Sequence, residues 1–409
     1  MDCVAERLAD WAHRFTPTDL ELQLAGRSLV DTVAVALAAG NEPLLGCCAP
    51  LGEAGRWAVA AHVLDFDDLH VESTSHISAV IVPTVLACGG DARAYLAGAG
   101  VMARLGIALG WQHYARGWHS TCTAGAPAAA VAAAVSLGLD LTTTAHAIAL
   151  AVPAAGGVQQ AFGTDAKALQ VGFAVDAGVR AAALAANGAR ADLGVIEEWL
   201  TLVDAAHSVV DTTGPAVPGG LAIKLYPCCY AMQRPISLVR ESLADIGPSD
   251  VERVVVTTPE CTILPLIHHR PLTGLQSKFS LEYAIAAAVL DGFPRFGSFT
   301  DAAVSRPTAQ ALLARVDTVA TEGGEGLLAG VIDITVQLSD GTTRVASMAE
   351  PPGAPQRPPT AEDLAAKIAG CGEDLDVLLE GVKSVEAAAL LRARLHGPKT
   401  ADSKLLTRS

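Results

Sequence analysis

Residues 330–348, GVIDITVQLSDGTTRVASM, decide the fold class of this chain. Apolar and polar side chains alternate on either side of Asp340-Gly341, a pair suited to a tight hairpin turn, so the segment reads as two paired strands. Upstream, VERVVVTTP (251–259) is a β-branched run that reads as another strand, and LEYAIAAAVLDG (281–292) between them reads as a helix. From residue 1 to about 220 the texture is different. LELQLAGRSLVDTVAVALAAG (20–40), AAAVAAAVSLGLD (128–140), TAHAIALAVPAA (144–155) and FAVDAGVRAAALAANGA (173–189) are rich in Ala and Leu, with Gly and Pro marking their ends. After the strands, EPPGAPQRPPT (350–360) leads into amphipathic helices from Ala361 to about His396, expected to fold back on the first domain. The expected fold is mainly α with a smaller α+β domain: an all-helical domain from 1–235 and 355–400, an α+β domain over 236–354, and a mobile tail over 401–409.

The bulk numbers agree with that division. A chain of 409 residues exceeds the size at which one core usually keeps growing. With 51% apolar and 17% charged residues, its helices must be buried on most sides, in a bundle or an oligomer. Gly, Pro and polar residues interrupt every apolar run before it reaches the roughly 18 residues of a membrane span, so no membrane partner is expected. MDCVAERLADWAHRF (1–15) lacks a basic region followed by an apolar core and reads as a first helix, which makes the cytoplasm the expected compartment. A net charge of −15 argues against nucleic acid as a partner, yet a few inward-pointing Lys and His residues can still make a pocket for a small anion. Nine cysteines, including the vicinal pairs Cys47/Cys48 and Cys228/Cys229, show no CxxC spacing, which disfavours disulfides and structural zinc. No phosphate-binding glycine loop is present, and no cofactor is expected.

Four clusters carry chemistry. HVLDFDDLHVESTSH (62–76) holds three aspartates and three histidines. Of these, Asp65, Asp68 and His76 are the candidates, because carboxylates and imidazoles brought together shift one another toward useful acid–base strength. An exposed loop with helix-capping aspartates, or a metal site, would explain the same residues. In ARGWHSTCTAGAPAAA (115–130), His119 precedes a small-residue helix whose first N–H groups suit a carboxylate. In FGTDAKALQVGFAVDAG (162–178), Lys167 interrupts an apolar run, either snorkelling to solvent or facing an anion. In AIKLYPCCYAMQRP (222–235), Lys224 stands where the composition changes, with Arg234 as a second cation and the two thiols read as inert packing. Together they form an inventory for binding a small polycarboxylate and moving a proton on it.

The order of HVLDFDDLHVESTSHISAVIVPTVLA, GWHSTCTAGAPAAAVAAA, FGTDAKALQVGFAVDAG, KLYPCCYAMQRPI and KFSLEYAIAAAVLDG (62–292) resembles the MmgE/PrpD family, which includes 2-methylcitrate dehydratase, cis-aconitate decarboxylase and iminodisuccinate epimerase. The resemblance implies a large all-α domain with a returning carboxy-terminal segment, an α+β lid, a homodimer, and an active site between the lobes that uses no metal and no cofactor. It also places Asp65, His76, His119, Lys167 and Lys224 in the catalytic pocket, with Asp68, Arg234 and Tyr283 as substrate-binding candidates. Three features depart from the family pattern: Leu69 stands where many relatives have Thr, Gln233 and Arg234 stand where a His is common, and the connection before His62, NEPLLGCCAPLGEAGRWAVA (41–60), is shorter than usual.

The family's reactions all pass through a carbanion or enediolate beside a carboxylate. The resemblance implies that Lys167 and Lys224 stabilise that charge, with His119 and His76 as base and acid and Asp65 orienting one of them. A lyase, dehydratase or decarboxylase, acting on a small di- or tricarboxylate is the first expectation. An epimerase or isomerase of a dicarboxylate is the second, and a non-catalytic polycarboxylate binder is the third.

Overall fold

The computed structural model describes residues 3–395 apart from Ser208, Glu373, Asp374, Asp376, Leu379 and Glu380. The tail expected to be mobile, 401–409, lies outside the described residues, as does the expected helix end at His396.

The larger lobe is helical, its core helices being Asp19–Ala38, Glu53–Val63, Ile77–Ala87, Ala92–Ala115, Ser120–Ser136 and Ala166–Ala186. Their small residues let backbones approach closely. A Cβ on Gly178 would sit 2.6 Å from the carbonyl of Ala126, and one on Gly98 would sit 2.7 Å from the side chain of Ala132. Asp19–Asn41, Ala92–Ala115 and Ala166–Ala186 are long and apolar enough to cross a membrane by length and composition, although none is an uninterrupted apolar run. Of the most apolar window of Ala92–Ala115, 83% is buried inside the chain's own core, so its apolar character is used in packing.

The smaller lobe carries one four-stranded sheet of order β2-β1-β3-β4, with β1 Val251–Pro259, β2 Val316–Thr321, β3 Ile332–Leu338 and β4 Thr343–Met348. β3 and β4 form the foreseen hairpin, Gln337 opposite Thr343, with Gly341 at φ 84° in the turn. β2 was not foreseen. It pairs parallel to β1 at the sheet edge, and only Val316 of its six residues is buried, so it leaves no alternating pattern in the sequence. Gln233–Ser242 and Leu281–Asp291 pack with the sheet in a separate apolar core.

The last helices, Ala361–Cys371 and Ser384–Leu395, return to pack against Asp19–Ala38, and Lys367 forms a buried ion pair with Asp31 at 2.7 Å. The two lobes meet over residues 62–76. Phe162 from the helical side stacks on Phe279 at 5.1 Å, and His268 Nε2 lies 3.1 Å from the carbonyl oxygen of Phe162.

Candidate active site

The Glu53–Val63 helix ends just before Asp65, whose φ of 56° places it in the left-handed region that Asp tolerates better than most residues. Three lysines from three separate segments hold this turn. Lys278 Nζ donates to the Leu64 carbonyl at 2.6 Å, Lys224 Nζ to that of Asp65 at 3.0 Å, and Lys367 Nζ to that of Phe66 at 2.8 Å. Buried carbonyls that no helix or strand satisfies are thereby paired, and the turn is fixed in a conformation it would not hold alone. Further on, Thr74 is also left-handed at φ 52°, and His76 directly precedes the Ile77–Ala87 helix. His119 precedes Ser120–Ser136 in the same manner, so both imidazoles sit at the positive end of a helix, where the protonated form is disfavoured.

These segments enclose a small cavity of about 20 Å³. Asp65, Thr74, His76, His119 and Lys167 line its polar part, and Leu69, Tyr114, Phe162, Cys229, Tyr230, Phe279 and Leu327 complete it. Lys167 Nζ donates to Asp65 Oδ1 at 2.7 Å and meets His62 Nε2 at 2.8 Å. His62 Nδ1 in turn faces Asp67 Oδ2 at 2.7 Å, and His76 Nδ1 lies 3.1 Å from the same oxygen. Lys224 Nζ stands behind both carboxylates, 3.6 Å from Asp65 Oδ1 and 3.9 Å from Asp67 Oδ1.

Burial alone would push the Asp65 and Asp67 carboxyls up. Lys167 and Lys224 outweigh it at Asp65, and His62, His76 and Lys224 at Asp67, so both are held well below the usual carboxylate range. Lys224 is held above its ordinary value, because Asp67 and Asp65 overcome its burial. Burial lowers the three imidazoles, His76 to about 4 and His119 further, the latter reinforced by His62 and Lys167. All three are therefore neutral near pH 7, and their hydrogen-bond partners assign the tautomers. His76 Nδ1 donates to the Asp68 carbonyl at 2.7 Å, which leaves the Nε2 lone pair for the cavity. His119 Nδ1 accepts from Gln170 Nε2 at 2.7 Å, the amide being oriented by Val158 N–H donating to Gln170 Oε1. The His119 proton is then on Nε2, which is buried with no partner among the described residues. The cavity thus offers one base and one hydrogen-bond donor from two neutral histidines whose ring centroids are 6.5 Å apart.

Five of the residues expected from the sequence converge, although not all in the expected role. Asp65, His76, His119 and Lys167 line the cavity, whereas Lys224 is fully buried behind it and acts through Asp65 and Asp67. Asp65 pairs with lysines, so the carboxylate that orients the imidazoles is Asp67. The three substrate-binding candidates point elsewhere. Asp68 accepts hydrogen bonds from the Ser78 hydroxyl and backbone, and burial raises it to about 7. Arg234 donates to the Gly330 and Ala349 carbonyls and thereby braces the loop that carries Leu327. Tyr283 donates to the Ser298 carbonyl within the smaller lobe's core. Gln233, where relatives often carry His, ties Leu225 and Tyr226 backbone N–H groups to its own carbonyl and shapes the turn after Lys224.

His62, Asp67, Lys278, Gln170 and Lys367 were not singled out. His62 and Asp67 stood inside the quoted 62–76 stretch, where their spacing of five already allowed a contact across a helix end. Nothing local distinguishes the other three. The vicinal Cys228 and Cys229 are buried, and burial pushes both thiols up, Cys229 to about 11, which suits inert packing.

One ligand atom each from His62, Asp67 and His76 lies within 4.8 Å of the others, a spacing that could hold a metal ion. The electrostatics oppose it. The Lys224 ammonium lies 3.9 Å from Asp67, and the Nδ1 atoms of both imidazoles already face protein oxygens.

The site thus brings neutral imidazoles, one lysine and buried carboxylates together around one small cavity. The MmgE/PrpD N-terminal domain matches residues 48–208 and the MmgE/PrpD C-terminal domain matches residues 226–377; the chain belongs to the MmgE/PrpD family. It is similar to the cis-aconitate decarboxylase of Aspergillus terreus, 24% identical over 337 residues that cover 71% of this chain and 68% of that protein. The protein of the same name from Aspergillus terreus strain NIH 2624 is 23% identical over the same coverage.

Proposed function

We propose that this chain is a cofactor-independent lyase, a dehydratase or decarboxylase, acting on a small di- or tricarboxylate such as 2-methylcitrate or cis-aconitate through a carboxylate-stabilised carbanion. The observation that carries the reading is the placement of His76 Nδ1 against the Asp68 carbonyl and of His119 Nδ1 against the Gln170 amide, with both rings beside Lys167 on one cavity. In this reading a substrate carboxylate lies against Lys167. In dehydration His76 Nε2 takes the proton from carbon and His119 Nε2–H gives its proton to the β-hydroxyl, which leaves as water; in decarboxylation carbon dioxide departs with its bond to carbon broken, and His119 Nε2–H gives its proton to the carbanion that remains. Asp67 fixes the His62 and His76 rings, and Asp65 holds Lys167 in place through their 2.7 Å ion pair. Relatives named as cis-aconitate decarboxylases support the lyase class. The exposed apolar side chains of Leu20 and Val385 on the helical lobe support a homodimer, which light scattering would test, and the cytoplasm remains the proposed compartment.

Two imidazoles on one cavity, 6.5 Å apart, also favour a second reading, an epimerase or isomerase that removes a proton on one side and returns it on the other. Proton NMR of the purified protein in heavy water with cis-aconitate, 2-methylcitrate, citrate, malate and iminodisuccinate tests both. New product resonances support the lyase, and deuterium uptake without loss of skeleton supports the isomerase. Binding without either would identify a polycarboxylate-binding protein.

A further inference from the structure

The hydrogen-bond donors in the cavity wall are unequally committed. Lys167 Nζ is engaged by Asp65 at 2.7 Å and by His62 at 2.8 Å, and the Thr74 hydroxyl donates to the Ser73 carbonyl at 2.7 Å. Tyr230 Oη is buried without a partner among the described residues, but the charges that act on it are those of Glu350 and Arg234, neither of which lines the cavity. Tyr114 is placed differently. It lines the cavity and is 4% exposed, and its hydroxyl makes no hydrogen bond among the described residues. Burial holds its phenol well above the ordinary value, and Cys229 and Asp65, both in the cavity wall, raise it further. The Tyr114 hydroxyl therefore stands beside these two wall groups as a protonated donor with nothing to donate to.

The rest of the residue is fixed. The Tyr114 carbonyl accepts from the Gly117 N–H at 2.9 Å at the end of the Ala92–Ala115 helix, and the ring lies 5.4 Å from that of Trp111 and clusters with Leu69 and Leu327. Leu69 and Leu327 bring no polar atom of their own to that end of the wall. Lys167 stands at another part of it, its ammonium 5.8 and 5.5 Å from the Phe162 and Phe279 rings. A buried phenol without a protein partner is satisfied by whatever occupies the cavity. At about 20 Å³ that space holds one or two waters, so a substrate must part the lobes and then meets the wall groups directly.

We propose, resting on the carboxylate-lyase reading above, that Tyr114 is a substrate-binding residue whose hydroxyl donates to a second substrate carboxylate while Lys167 holds the first. Isothermal titration of the full chain and of Tyr114→Phe at pH 7.5, with cis-aconitate and with citrate, tests this. The variant keeps the ring and loses one oxygen that no protein group uses, so its Tm is expected to stay close to that of the parent. The ligand that the parent binds should bind to the variant about tenfold or more weakly, the loss expected for one hydrogen bond to a charged group. Parent-like affinity in Tyr114→Phe, with Tm either unchanged or lowered, overturns this inference and leaves the carboxylate reading standing. Failure of the parent to bind or turn over either ligand overturns the two together.

Discussion

Replacing Asp65 with Asn removes one charge at the centre of the site and little else. Asn tolerates the left-handed φ of 56° and retains an oxygen for Lys167, so the backbone has no reason to move. Ammonium groups at 2.7 and 3.6 Å attract the carboxylate by about 6 and about 5 kcal/mol before desolvation, at an effective dielectric near 20. Much of that is cancelled by the cost of burying three ions, and removing one member of such a group nets about 3–5 kcal/mol of destabilisation. For a chain of 409 residues unfolding as a unit, that is on the order of 3–6 °C in Tm. The pH dependence separates this account from a generic packing defect. The folded parent holds the Asp65 carboxyl below the usual carboxylate range, so the stability it contributes is complete above the unfolded carboxyl's pKa of about 4 and is lost as pH falls below it. The variant's deficit should therefore shrink as pH is lowered from 7 to about 3. Calorimetric melts of both proteins across that range read the effect, and turnover should fall about 10²-fold or more. An Asp65→Asn variant that matches the parent in Tm and turnover at pH 7, or whose deficit widens as pH is lowered, would refute the charge argument.

His76, lowered to about 4 by burial, is a neutral base throughout the physiological range, so kcat/KM for the free enzyme should stay level from pH 7 to about 5 and fall as pH approaches 4. A limb near 6.5 would mean that a different or solvent-exposed imidazole is the base. Replacing His76 or His119 with Ala should abolish turnover, and a variant that keeps most of the activity removes that residue from the mechanism. Lys367→Met strands Asp31 and frees the Phe66 carbonyl, which should cost about 3–5 kcal/mol in a thermal melt. Adding Asp31→Asn should recover part of it, and a single variant within about 0.5 kcal/mol of the parent would show that the pair does not hold the returning helix.

The sequence alone determined the helical lobe, the hairpin and the place where one gives way to the other. Periodicity, β-branching and turn residues are local properties, as at Asp340-Gly341. It also marked Asp65, His76, His119 and Lys167, because protonatable groups stand out against an apolar background and their order resembles one family. What only the tertiary structure decided is which of those groups touch. Asp65, Asp67 and Asp68 lie within four positions, yet one faces two lysines, one faces two histidines and one faces Ser78, because the left-handed turn at Asp65 sends them in different directions. That turn persists because Lys278, Lys224 and Lys367, far apart in the chain, each satisfy one of its carbonyls. Such long-range hydrogen bonds have no local pattern and so were invisible in the sequence, as was the diversion of Arg234 from the cavity to the loop carrying Leu327.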